Sequence, residues 1–188
     1  MWNPADGKLA QEIKNAHSDA VMGIEFSADG KMIVSGAADK FVKVFSLADG
    51  KLIKAFEGHT HQVLGVSFKR DGRTVVSAGA DNAVKVWSLE TGEGKKTVQG
   101  FTKEATSIAF VGVTDQFLTT GGDSKVRIVS EAGSDVKTFS GATDFVYASA
   151  VKPDGRLVLA GGQDGVLRVW NGQSGALITA FNPQGKTN

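Results

Sequence analysis

The chain has 188 residues, 41% hydrophobic and 22% charged, which is enough apolar material for a core in one or two domains. Its 21 Lys and Arg against 20 Asp and Glu leave a net charge of +1 with no basic block, which argues against a nucleic-acid partner or an anionic membrane. The lack of cysteine removes disulfides, thiolate metal sites and cysteine nucleophiles and leaves the compartment undecided; no apolar run approaches the ~18 residues of a membrane span, and no signal-peptide profile opens the chain.

The first stretch, "MWNPADGKLAQEI", runs parallel to "VWNGQSGALITAF" far downstream, with Trp2 standing 168 residues before Trp170. Met1–Trp2 therefore reads as the tail of one strand and residues 8–14 as the next, a spare outer strand within a segment 1–16. A unit of about 42 residues then recurs, marked by the phrases "AADKFVKVFS" at Ala37, "GADNAVKVWS" at Gly79, "GGDSKVRIVS" at Gly121 and "GQDGVLRVWN" at Gly162. The Asp of the phrase falls at Asp39, Asp81, Asp123 and Asp164, with spacings of 42, 42 and 41, which divides the chain into units 17–58, 59–100, 101–141 and 142–183 and a tail 184–188.

Within each unit the apolar pattern has period two. In the second, the runs 63–68, 74–80, 83–89 and a weaker 95–99 are rich in Val and bounded by turn residues, so each reads as a strand. The first two runs of a unit are joined by "ADGK" (28–31), "RDGR" (70–73) and "PDGR" (153–156), where Gly supplies the positive φ of a tight turn. The third unit has "VTDQ" (113–116) there, without Gly, which predicts a looser turn in that unit.

Four short antiparallel strands per unit of about 42 residues resemble the WD40 repeat of β-propellers, over nearly the whole chain from Trp2 to about Phe181. The resemblance implies an all-β fold of four four-stranded blades plus the spare strand. It also implies a polar relay in each blade, running from a His through a Ser or Thr and a turn Asp to a Trp. The second unit matches in full with His59, Ser77, Asp81 and Trp87. The first has His17, Ser35 and Asp39, with Phe45 in place of Trp. The third keeps Thr119 and Asp123, with Phe101 and Val129 at the outer positions. The fourth keeps Asp164 and Trp170, while Ala142 and Ala160 remove the middle of the relay. A half-satisfied buried network is worse than an apolar core, so losing both middle groups together is the tolerable way to lose it.

Propellers resembling this one usually close with seven or eight blades, so four blades leave two bare flanks. Two expectations follow: a homodimer that completes an eight-bladed ring by head-to-tail contact, or an excised or engineered propeller fragment with a purely structural role and no physiological ligand. In the dimer, strands 8–14 and 176–182 compete for one outer edge at each seam. The resemblance also places three positions per blade on the face around the central channel: Ala20, Met22 and Ala38; Gln62, Leu64 and Ala80; Glu104, Thr106 and Gly122; Phe145, Tyr147 and Gln163. Two aromatics flank Val146 in the fourth set, and exposed aromatics are common interface anchors, which makes this face the expected seat of a protein or peptide. Packing across the seam or plugging of the channel mouth accounts for them equally well.

No catalytic site emerges from the sequence. Two of the three histidines are relay positions, "HTH" (59–61) lacks a third metal ligand, and the glycine-rich segments have neither the spacing nor the following helix of a phosphate loop. The expected function is therefore a non-catalytic protein-interaction scaffold without metal or cofactor.

Overall fold

The structure, a computed structural model, describes residues 1–182; the tail expected at 184–188 lies outside the described residues. Among these residues the chain forms only strands, in four sheets of four. The first sheet is β1 (Val21–Phe26), β2 (Met32–Ala37), β3 (Val42–Ser46) and β4 (Leu52–Phe56); the second is β5 (Val63–Phe68), β6 (Thr74–Gly79), β7 (Ala83–Ser88) and β8 (Gly94–Val98). The third is β9 (Ala105–Phe110), β10 (Gln116–Gly121), β11 (Val126–Ser130) and β12 (Asp135–Phe139); the fourth is β13 (Val146–Val151), β14 (Leu157–Gly162), β15 (Leu167–Asn171) and β16 (Leu177–Phe181). Every sheet is a plain antiparallel meander in chain order, the blade architecture that the repeat implies.

The blades stack in sequence, and the core lies between them. Val34, Val42, Val44 and Phe56 of the first blade pack against Val63, Val66 and Phe68 of the second. Val76, Val84, Val86 and Val98 of the second pack in turn against Ala105, Ile108 and Phe117 of the third. Leu118, Val126, Ile128 and Phe139 of the third then meet Val146, Val158 and Trp170 of the fourth. Where a sheet has two neighbours its inner strands thus bury most of both faces, which explains why β6, β7, β10 and β11 read as near-continuous apolar runs, while the outer strands β8 and β12 stay largely exposed.

The strand pairing of the third blade is as regular as that of the others. In all four, the inner strand bulges at its second position, so that Met22, Leu64, Thr106 and Tyr147 are skipped in the pairing with the next strand. The turn at "VTDQ" is not looser. Val111 N–H donates to Gln116 and Thr114 N–H to Val111, the same pair of bonds that Ser27–Met32 and Gly30–Ser27 make in the first blade. Here the positive φ comes from Gly112 (+57°), two residues before the expected place. A Cβ at Gly112 would run into the Pro153 carbonyl of the fourth blade, so close approach as well as φ requires glycine.

Residues 8–14 do not form the expected outer strand. They contribute an isolated antiparallel bridge, Leu9 to Trp2, and the corner between repeats the geometry of the β15–β16 corner. Asn3 N–H donates to Lys8 and Gly7 N–H to Asn3, as Asn171 does to Ala176 and Gly175 to Asn171. Trp2 and Leu9 correspond to Trp170 and Leu177, which also pair. Beyond the corner the pairing runs on through Met1, whose carbonyl accepts from Ala10 and Gln11 N–H and whose amino group donates to the Gln11 carbonyl, and residues 12–14 add no further rung. The outer edge of the fourth blade is held by β16, paired with β15 from Leu167 to Trp170.

The residue after each turn Asp sits in the left-handed region: Lys40 at +75°, Asn82 at +60°, Ser124 at +62° and Gly165 at +75°. Asn and Gly accept that region readily, whereas a Lys with its full Cβ costs roughly 1 kcal/mol. Lys40 is exposed, so Lys40→Gly is expected to raise stability by up to about 1 kcal/mol, read as a higher urea midpoint at unchanged m-value. A lower midpoint would contradict the strain assigned to this turn.

Candidate functional site

The relay of the second blade is complete. His59 Nδ1 lies 2.9 Å from each carboxylate oxygen of Asp81, and because a carboxylate only accepts, this nitrogen carries the proton. His59 Nε2 then accepts from the Ser77 hydroxyl at 2.7 Å, and Ser77 Oγ accepts from Trp87 Nε1–H at 2.8 Å. Asp81 also takes the Thr60 N–H at 3.0 Å. In this chain, Trp87 to Ser77 to His59 to Asp81, every donor has an acceptor. The first blade repeats it with His17–Asp39 at 2.9 Å and His17–Ser35 at 2.8 Å, and Phe45 brings no donor to Ser35.

The third and fourth blades keep the Asp and change its partner, an exchange missed at the sequence level. Arg127 pairs with Asp123 and Arg168 with Asp164, the latter at 2.7 Å, each Arg four residues beyond its Asp on the third strand. Lys43 and Lys85 hold that position in the two blades with His. Phe101, which replaces the His, lies under the Arg127 guanidinium with 4.3 Å between its ring centroid and the Arg127 Cζ. Trp170 Nε1–H donates to the Ser140 carbonyl at 2.9 Å, and Thr119 Oγ1 is buried without a partner among the described residues. A Lys-to-Arg change exactly where His disappears was the available signal, and it passes easily for a conservative substitution.

Burial works against the charge on Asp39, Asp81 and Asp164. Nonetheless, Phe41 and Ser18 N–H with His17, His59 with Thr60 N–H, and Val166 N–H with Arg168 respectively hold the three carboxyls below the ordinary range. Groups whose folded value is depressed contribute stability that is complete above the unfolded value of about 4 and vanishes as pH falls through the lower folded value. The urea midpoint is therefore expected to drop below about pH 4, with a shallower drop in Asp81→Asn. Parallel acid profiles for the two proteins would contradict the role given to Asp81.

The channel-face positions share one end of the sheets. Ala38 N–H donates to Ala20, Ala80 to Gln62, Gly122 to Glu104 and Gln163 to Phe145, all at 2.8–2.9 Å, and so tie the first and third positions of each set together. The middle positions are the bulge residues Met22, Leu64, Thr106 and Tyr147, and a bulge re-aims a side chain. Met22 and Tyr147 are half exposed, while Leu64, Glu104 and Phe145 are partly covered, and Gln62 and Gln163 face solvent. The Phe145 ring lies where a Cβ on Gly122 would fall, so this aromatic packs on the third blade's turn. It stands 5.3 Å from the Tyr147 ring, whose hydroxyl donates to Gln163 Oε1 at 2.7 Å. Thr106 is turned inward and bonds to Thr120 and the Val146 carbonyl. Among the described residues no group of three or more His, Asp or Glu is arranged to hold a metal.

A family model described as "WD domain, G-beta repeat" matches residues 7–46, 50–88 and 133–171, more than half of the chain. The chain is also 32% identical over 59 residues to a "Notchless protein homolog" of Arabidopsis thaliana, a match that covers 31% of this chain and 12% of that protein's length.

Proposed function

This chain belongs to the WD40 repeat family, whose members act in general as non-catalytic scaffolds for protein–protein contact, and on that premise we propose a scaffold whose two end flanks are closed by a second copy of itself. One comparison inside the chain carries the proposal. Val63, Val66 and Phe68 on the inner strand of the second blade are 0%, 6% and 6% exposed; their counterparts Val21, Ile24 and Phe26 on β1 are 48%, 62% and 55% exposed. At the other end, Leu167 and Phe181 are 42% and 58% exposed where Val42 and Phe56 are 0% and 2%. The leading face of the first blade and the trailing face of the fourth are thus the two halves of an interface that the chain makes three times internally.

A large apolar face of this kind marks an association surface. Two chains joined head to tail form two such seams for a single loss of translational freedom, and eight blades complete the ring. The channel face, with Met22, Leu64, Phe145 and Tyr147, then remains free to receive a protein or peptide. Light scattering behind a sizing column is expected to give twice the 19.7 kDa chain mass at micromolar concentration. A mass of one chain there would overturn the self-association.

A further inference from the structure

The seam has a register, and a single missing side chain sets it. Gly36 pairs with Val42 across β2–β3, and a Cβ at Gly36 would stand 2.5 Å from Val63 Cγ1 and 2.8 Å from Val66 Cγ1. The second blade therefore plugs into the first through two valines that occupy the space left by a glycine. Gly161 pairs with Leu167 across β14–β15, the same register position in the fourth blade, and among the described residues a Cβ there would meet nothing within 4 Å. Around it lies an apolar groove of about 440 Å³ lined by Tyr147, Ala148, Leu159, Gly161 and Leu167.

We propose that Gly161 is the socket of the self-association seam, and that Val21 and Ile24 of a second copy seat over it as Val63 and Val66 seat over Gly36. This rests on the head-to-tail reading above and adds to it the register and the residue that sets it. The knobs match by pairing: Val21 and Val63 face the last residue of their second strands, Ala37 and Gly79, while Ile24 and Val66 face Ser35 and Ser77. Size matching inside the chain follows the same logic. Where the socket position holds Ala78, the residue at the knob position shrinks to Ala105, both fully buried. At the third interface hydroxyls take over, with Thr106 bonded to Thr120 and to the Val146 carbonyl.

The test uses the full chain. Gly161 lacks a positive φ and an added Cβ there meets no described atom within 4 Å, so Gly161→Val is expected to fold, and β-branched residues suit a strand. Overfilling the socket at both seams is expected to weaken the dimer dissociation constant by about a hundredfold or more, measured by sedimentation velocity over a concentration series. The milder Gly161→Ala is expected to weaken it less, and Val21→Ala added to Gly161→Ala to recover affinity by remaking the Ala78–Ala105 match. Circular dichroism of the variants monitors the fold, and the rescue decides the matter even if Gly161→Val folds poorly. A wild-type dimer whose affinity survives Gly161→Val, or an absent rescue, overturns this register and leaves self-association standing; a wild-type monomer overturns both.

Discussion

Arg127→Ala is expected to cost about 3–5 kcal/mol of folding free energy, because it removes one partner of a buried ion pair and leaves the other behind. The side chains of Arg127 and Asp123 are 4% and 2% exposed. Without the guanidinium, Asp123 keeps among the described residues only the Lys125 N–H at 3.2 Å, Phe101 loses the cation on its face, and the Gly100 carbonyl loses its Arg127 donor. At the equivalent position of the second blade, Lys85→Ala removes an ammonium that bonds to an exposed Thr97 hydroxyl, while His59 still satisfies Asp81. That substitution is expected to cost less than about 1 kcal/mol. Adding Phe101→His to Arg127→Ala restores the histidine form of the pair and recovers part of the loss. Equal urea midpoints for Arg127→Ala and Lys85→Ala would refute the exchange of His for Arg.

The second large effect separates two serines that look alike in sequence. Ser77→Ala leaves two buried groups without partners, Trp87 Nε1–H and His59 Nε2, whereas Ser35→Ala leaves only His17 Nε2, since Phe45 has no polar atom. Each orphaned group costs about 1–3 kcal/mol. Ser77→Ala is therefore expected to exceed Ser35→Ala by about that amount, and Trp87→Phe to cancel most of the excess in a double-mutant cycle. Additive single and double substitutions would mean that the indole does not belong to the network.

Much of the site is legible in the sequence alone. The period of about 42 residues placed Asp39, Asp81, Asp123 and Asp164 at equivalent corners, and the His and Ser offsets around the first two were enough to name both relays. The partners of Asp123 and Asp164 were not legible, because Arg at positions 127 and 168 reads as a surface charge until the strand folds it back over the Asp. The bulges that single out Met22, Leu64, Thr106 and Tyr147 arise from the pairing of two strands and leave no mark on either one alone.

By itself the sequence determined what depends on local chemistry and repetition: strand and turn positions, the meander of each blade, and which residues share a corner. The two ends of the chain show what it left to tertiary structure. Residues 8–14 carry nearly the same pattern as β16, and they even make its corner through Asn3, Gly7 and the Trp2–Leu9 bridge. β16 pairs with β15 from Leu167 to Trp170 and becomes a strand, whereas residues 9–11 pair with Met1 and Trp2 alone, since a strand is defined by the ladder beside it. Gly36 and Gly161 are the same letter at the same register, yet one is filled by two valines and the other stands open. Pattern repeats along a chain, but burial depends on which neighbour is present, and only the assembled blades supply that.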